Sequence, residues 1–180
     1  MSLTTDRLIL RQWRAADREP FAELNADPVV MRHFPATLAR ADSDAFADRI
    51  EAGIIERGWG LWAVEIKSSG AFAGFIGLQP LRPELPFAPG VEIGWRLGAS
   101  FHRRGYATEG ARRVVLYAFE TLGLPEIVSF TTAGNAESRH VMEKLGMTRD
   151  PAEDFDHPAV PADWPGRRHV LYRLAAPARP

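Results

Sequence analysis

The chain switches hydrophobic period around a basic, glycine-broken turn, and that switch constrains the fold more than any other feature. Val91-Glu92-Ile93-Gly94-Trp95-Arg96-Leu97 reads as an apolar strand, and Ala107 to Leu122 reads as a helix. Between them runs His102-Arg103-Arg104-Gly105-Tyr106-Ala107-Thr108-Glu109-Gly110. Strand, basic turn and helix start together form a cradle for a pyrophosphate. The first N–H groups of a helix have no partner in the chain, and the helix dipole favours an anion there. Gly105 lets the backbone approach a phosphate closely, and Arg103 and Arg104 set positive charge around it. An ordinary helix N-terminus with solvated arginines fits the same residues, so this segment alone leaves both readings open.

A second unit of the same kind follows. Glu126-Ile127-Val128-Ser129-Phe130-Thr131-Thr132 is rich in β-branched and aromatic residues and predicts a strand. After Ala133-Gly134 a helix begins at Asn135-Ala136-Glu137-Ser138, with Val141, Met142 and Leu145 on one face and Gly146 at its C-terminal end.

The rest of the chain supplies the other layers. Leu3 to Trp13 predicts a first strand. Asp17 is the expected N-cap of a helix to about Asn25, with Phe21 and Leu24 inward. Asp42 or Ser43 is the expected cap of a longer helix to about Arg57, with Phe46, Ile50 and Ile54 on one face and Gly58 ending it. Leu61–Lys67 and Ala71–Leu81 form an expected hairpin across Ser68-Ser69-Gly70. Pro80 to Pro89 and Asp150 to Pro165 read as irregular, and Arg168–Leu174 closes as a strand. No linker divides residues 1–180, so a single α+β domain with a mixed central sheet is expected.

Composition excludes several classes. With 22 basic against 23 acidic residues the surface has no broad positive field for nucleic acid or an anionic membrane. The absence of cysteine removes disulfides, thiolate zinc sites and a cysteine nucleophile. No apolar run reaches the roughly 20 residues of a membrane helix and no signal-peptide core is visible, so the cytoplasm is the expected location. Histidines and acids show no metal-ligand spacing, and no metal is expected.

On these segments the chain resembles the GCN5-related N-acetyltransferase (GNAT) superfamily. His102–Ala107 is similar to its Gln/Arg-x-x-Gly-x-Gly/Ala acetyl-CoA loop, and Asn135-x-x-Ser138 with Glu143-Lys144-Leu145-Gly146-Met147 to its second motif. Thr5-Asp6-Arg7-Leu8-Ile9-Leu10-Arg11 and Gly105-Tyr106-Ala107-Thr108-Glu109 look like the branch of the ribosomal-protein N-terminal acetyltransferases. The resemblance implies the GNAT fold: a mostly antiparallel sheet of about seven strands, splayed between the fourth and fifth, flanked by about four helices. It implies acetyl-CoA as co-substrate, with the pantetheine between Val91–Leu97 and Glu126–Thr132. It also makes a homodimer an expectation.

Acetyl transfer to an amine needs a polarised carbonyl, an unprotonated amine and a stabilised thiolate. The resemblance assigns the first to a main-chain N–H in the stretch Trp95, Arg96, Leu97, a donor worth about 3 kcal/mol. It makes Glu92 the candidate base. An α-amine, pKa about 8, demands less of a base than a lysine amine near 10.4. Pairing of Glu92 with Arg11 or Arg173 in the sheet is the competing role. Where many members carry a tyrosine for the thiolate this chain has Met142, so Ser138 is the candidate donor, or else a hydroxyl serving the helix start. Asn135 is expected to touch pantetheine, to cap its helix, or both. The cofactor loop comprises His102, Arg103, Arg104, Gly105, Tyr106 and Ala107, with His102 departing from the usual Gln or Arg. Phe34 and His157 are candidate substrate contacts, beside packing and bystander roles. The acceptor is then a small-molecule amine or a peptide N-terminus. Two other readings stay open: a non-catalytic acetyl-CoA sensor, kept alive by Met142, and a nucleotide-binding protein, which lacks both Gly-x-Gly-x-x-Gly and a Walker lysine.

Overall fold

The computed structural model describes residues 2–178. Its strands are β1 (Leu3–Thr4), β2 (Leu8–Arg11), β3 (Leu61–Ile66), β4 (Phe72–Pro80), β5 (Val91–Leu97), β6 (Glu126–Thr132), β7 (Phe155–Asp156) and β8 (Arg168–Ala175). Its helices are α1 (Arg18–Ala26), α2 (Arg40–Arg57), α3 (Tyr106–Leu116) and α4 (Ala136–Lys144). The eight strands make one sheet in the order β1-β2-β3-β4-β5-β6-β8-β7, against an expectation of about seven. Every neighbouring pair is antiparallel except β5 and β6.

Helices cover both faces. On one, Phe21 of α1 and Phe46 of α2 pack on Phe75 of β4, with ring centroids 6.1 and 5.9 Å away. On the other, α3 lies so close that a Cβ on Gly110 would stand 2.5 Å from Ile76 Cδ1. No helix among the described residues is long and apolar enough to cross a membrane.

Several local expectations shift. The first strand is folded back on itself, with Leu3 opposite Leu10, because Thr5 makes a turn in which its Oγ1 accepts the Leu8 N–H. Asp17 precedes α1, but its carboxylate caps no N–H of that helix. It binds the buried Arg11 guanidinium at 2.7 and 2.9 Å instead. Helix α2 starts earlier than Asp42, after Ala39, and the fully buried Ser43 is turned to Asn25. The helix that begins at Tyr106 widens after Leu116 into a π-type turn, Tyr117–Thr121, where Leu122 N–H reaches back to Tyr117 O. The proline-rich segment after Asp150 contains one short strand, β7, paired to β8.

Candidate active site

The site begins where the sheet opens. β5 and β6 share one ladder pair, Glu92 with Val128, and then part. On its other edge β5 is fully paired with β4, and Gly98 N–H donates to Ala73 O at 3.0 Å. Main-chain groups alternate sides along a strand, so the N–H groups of Gly94 and Arg96 point to β4, while those of Trp95 and Leu97 point into the opening. The opening continues into a cavity of about 790 Å³, the size of a pocket that takes a small ligand. Every candidate residue of the sequence lines it except Arg104.

At the wide end of the opening stands the cradle. Arg103 and Gly105 both take left-handed backbone conformations, φ 58° and 79°, and α3 starts directly afterwards. Glycine adopts this at no steric cost, whereas Arg103 takes it at a local backbone cost. Successive N–H groups in such a turn form a concave anion site at a helix N-terminus. His102, the departure from the usual residue, hydrogen-bonds Leu97 O through Nε2 at 2.8 Å and so ties the loop to β5. Arg103 is exposed and lies 3.6 Å from Glu137 at the start of α4. The support beneath this loop comes from a distant segment and has no local signal in sequence. Arg7 donates to Arg104 O at 3.0 Å, binds Glu109 through Nε at 2.6 Å, and stacks on Tyr106 at 4.6 Å. Burial raises the Glu109 pKa, but hydrogen bonds from Thr5 and Arg7 outweigh it and hold the carboxyl below its usual range.

Glu92 sits at the narrow end, on the face of β5 turned toward α1 and α2. Burial pushes its carboxyl up to about 7, against opposing effects of the Gln79 hydrogen bond (2.8 Å) and the Arg82 charge. The arginines considered as its partners are engaged elsewhere: Arg11 with Asp17 and Glu65, Arg173 with Glu153 and Glu126.

Across the opening, Asn135 caps α4. Its Oδ1 accepts the Ser138 N–H at 3.2 Å, while Nδ2 donates to Thr131 Oγ1 at 2.9 Å and to Ser138 Oγ at 3.1 Å. The helix cap is thus the Asn135 carbonyl, and the Ser138 hydroxyl, which accepts here, keeps its own proton to donate. Met142, one turn on, is fully buried against the cavity wall.

The side of the cavity lined by Phe34, Phe130 and His157 is aromatic. Phe34, exposed in the loop after α1, stacks on the Arg96 guanidinium at 4.4 Å. His157 packs against His169 at 4.9 Å and Phe130 at 5.7 Å. Burial, then the neighbouring His169 and Arg82, push its pKa down to about 4, so it is neutral at neutral pH. Arg96, grouped by sequence with the cofactor contacts, has its main-chain N–H toward β4 and its side chain on the Glu92 face. His169, Trp164, Gln79 and Arg82, which line the cavity too, carried no signal in sequence because the fold brings them from separate loops and strands. No group of three metal-ligating side chains occurs among the described residues.

Known proteins share this architecture. The acetyltransferase (GNAT) domain matches residues 7–148. Over 156 residues the chain is 33% identical to the FsC-acetyl coenzyme A-N(2)-transacetylase of Aspergillus fumigatus, an alignment covering 82% of this chain and 65% of that protein. The GNAT-family acetyltransferase from Bacillus anthracis superposes with a TM-score of 0.80 at 24% identity, over 97% of this chain and 98% of that one. RimL, a ribosomal L7/L12 α-N-protein acetyltransferase in complex with coenzyme A, superposes with a TM-score of 0.77 at 12% identity over 98% of both chains, a likeness of fold. A splayed sheet, a left-handed glycine turn opening a helix at the mouth of the splay and a domain match over most of its length place the chain in one family: it belongs to the GNAT N-acetyltransferases.

Proposed function

We propose that the protein transfers the acetyl group of acetyl-CoA to a primary amine by direct attack within a ternary complex. The observation that carries this reading is the Glu92 carboxyl lining the cavity where β5 and β6 part, held by Gln79 at 2.8 Å, and its burial there pushes its pKa up to about 7. A base is most useful when its pKa lies near the working pH. His102 to Ala107 hold the pyrophosphate, and the pantetheine runs along the free edge of β5 past Trp95, Leu97, Asn135 and Met142. The amine nitrogen bonds to the thioester carbon and loses its proton to Glu92. The developing oxyanion is met by the N–H of Trp95 or Leu97, the C–S bond breaks, and the Ser138 hydroxyl hydrogen-bonds the departing thiolate. Phe34 and His157 bound the acceptor space.

The acceptor is a small-molecule amine or a peptide α-amine. The Aspergillus relative is named for transfer from acetyl coenzyme A to an N(2) nitrogen, which supports this donor and a nitrogen acceptor. The buried Met142 in place of a tyrosine favours a second reading, a domain that binds acetyl-CoA without turnover. The test is free-thiol release from acetyl-CoA across α-amino peptides, amino acids, polyamines and aminoglycosides, with calorimetric acetyl-CoA binding alongside. Turnover on one class is the expected result. Binding without turnover supports the sensor, and absence of binding overturns the assignment of the cleft.

A further inference from the structure

Arg11 and Arg96 both turn inward and differ in kind. Arg11 is buried with its charge met: Asp17 takes Nη1 and Nη2 at 2.7 and 2.9 Å, and Glu65 takes Nε at 2.7 Å. Arg96 lines the cavity with its charge unmet. Its guanidinium makes one hydrogen bond, Nη1 to Asn25 Oδ1 at 2.6 Å, and its buried Nε has no partner. No acidic side chain pairs with it among the described residues, and burial alone pulls its pKa down to about 10, leaving it charged at neutral pH. Three rings pack around it, Phe34, Phe75 and Phe46, at 4.4, 5.5 and 5.6 Å. A cation in such surroundings without a counter-ion is costly, and a guanidinium retains a planar edge of donors that matches a carboxylate.

The group is also held in place. Asn25 is fully buried, and while its Oδ1 accepts from Arg96 its Nδ2 donates to Ser43 Oγ at 2.9 Å, which fixes the guanidinium against both helices. Arg96 and Glu92 project from the same face of β5, four residues or ~13 Å of strand apart. One end of the acceptor space is therefore the base and the other a fixed, uncompensated positive charge.

We propose that the acceptor carries a carboxylate several bonds from its amine, and that Arg96, positioned by Asn25 and covered by Phe34, binds that carboxylate. The inference rests on the acetyltransferase reading of the same cavity. A carboxylate fits better than a phosphate dianion, because one arginine among aromatic rings balances one negative charge and leaves a second uncompensated.

The test uses ω-amino acids of increasing chain length, from glycine to 7-aminoheptanoate, each beside its carboxamide and its phosphonate. The wild-type protein should favour the carboxylate over the carboxamide at least tenfold in kcat/KM at one or more chain lengths, mostly through KM, and over the phosphonate as well. In Arg96→Gln that ratio should fall to near one, and Arg96→Lys, which keeps charge without the fork, should recover part of it. Equal use of carboxylate and carboxamide by the wild type, preference for the phosphonate, or an unchanged ratio in Arg96→Gln would each overturn the proposal while leaving acetyl transfer intact. A binding measurement separates the two readings when no amine turns over. Glutarate titrated calorimetrically into the CoA-saturated protein should bind the wild type and not Arg96→Gln, and absence of heat with the wild type overturns the carboxylate site.

Discussion

At the scale of single residues, the site divides labour between neighbours that sequence alone does not separate. Glu92 and Ser138 stand on opposite sides of the sheet opening. Replacing Glu92 by Gln keeps the Gln79 contact and removes the proposed base, so kcat should fall by about 10² to 10⁴, the usual contribution of a positioned base. The rise of the wild-type rate through pH 7, where the Glu92 carboxyl ionises, should vanish with it; pH–rate profiles of both proteins decide this. Ser138 and Asn135 make a second contrast. The helix cap belongs to Asn135 Oδ1, so Asn135→Ala should cost about 1 kcal/mol of stability, roughly 2–4 °C in Tm. Ser138→Ala leaves that cap and should barely move Tm, while lowering kcat about tenfold, near 1.4 kcal/mol of barrier. Calorimetric melting beside steady-state kinetics reads both, and equal Tm losses would return Ser138 to a structural role.

Secondary-structure elements show most plainly what was legible and what was not. The β5–turn–α3 and β6–α4 units were legible because hydrophobic period changes within a few residues, with glycine or asparagine at each boundary. Their supports were not, since Arg7 and Glu109 lie 102 positions apart and meet only in the folded sheet. The same holds for Asp17, a fitting helix cap by type whose carboxylate is taken by Arg11. The Arg7 strap makes a prediction about the cradle as a unit. It braces the loop through the main-chain oxygen of Arg104, so the Arg104 side chain itself should matter little to cofactor binding. Arg7→Ala should weaken acetyl-CoA binding about tenfold, ~1.4 kcal/mol, and Arg104→Ala by less than about twofold. Titration calorimetry of both variants tests it, and a larger loss from Arg104→Ala would mean that side-chain charge, not loop shape, holds the cofactor.

Over the whole molecule, the cavity leaves its mark on stability because it buries groups that prefer water. The succession of elements along the chain followed from patterning and the splayed sheet from the family resemblance, but the electrostatics of the cavity followed from neither, since they depend on which distant polar groups end up without partners. Glu92 is raised from an ordinary 4.5 to about 7 in the folded protein. Between those values the unfolded chain has released the proton and the folded one has not, so this group makes stability fall as pH rises from 4.5 to 7. His157 is lowered from 6.5 to about 4, and there the unfolded chain binds the proton first, so stability falls as pH drops from 6.5 to 4. His169, lowered by burial, acts in the same direction as His157. Glu92 and His157 therefore oppose each other between about pH 4.5 and 6.5, and removing either exposes the other. Relative to wild type, Glu92→Gln should gain no stability near pH 4, gain progressively up to pH 7, and level off above it at no more than ~3 kcal/mol. His157→Asn should show the mirror image, gaining as pH falls from 6.5 toward 4. Thermal melts of the three proteins from pH 4 to 8 measure both differences. A Glu92→Gln difference that stays flat with pH would show that the carboxyl is solvated as in the unfolded chain, and with that its fitness as a base at neutral pH would be lost.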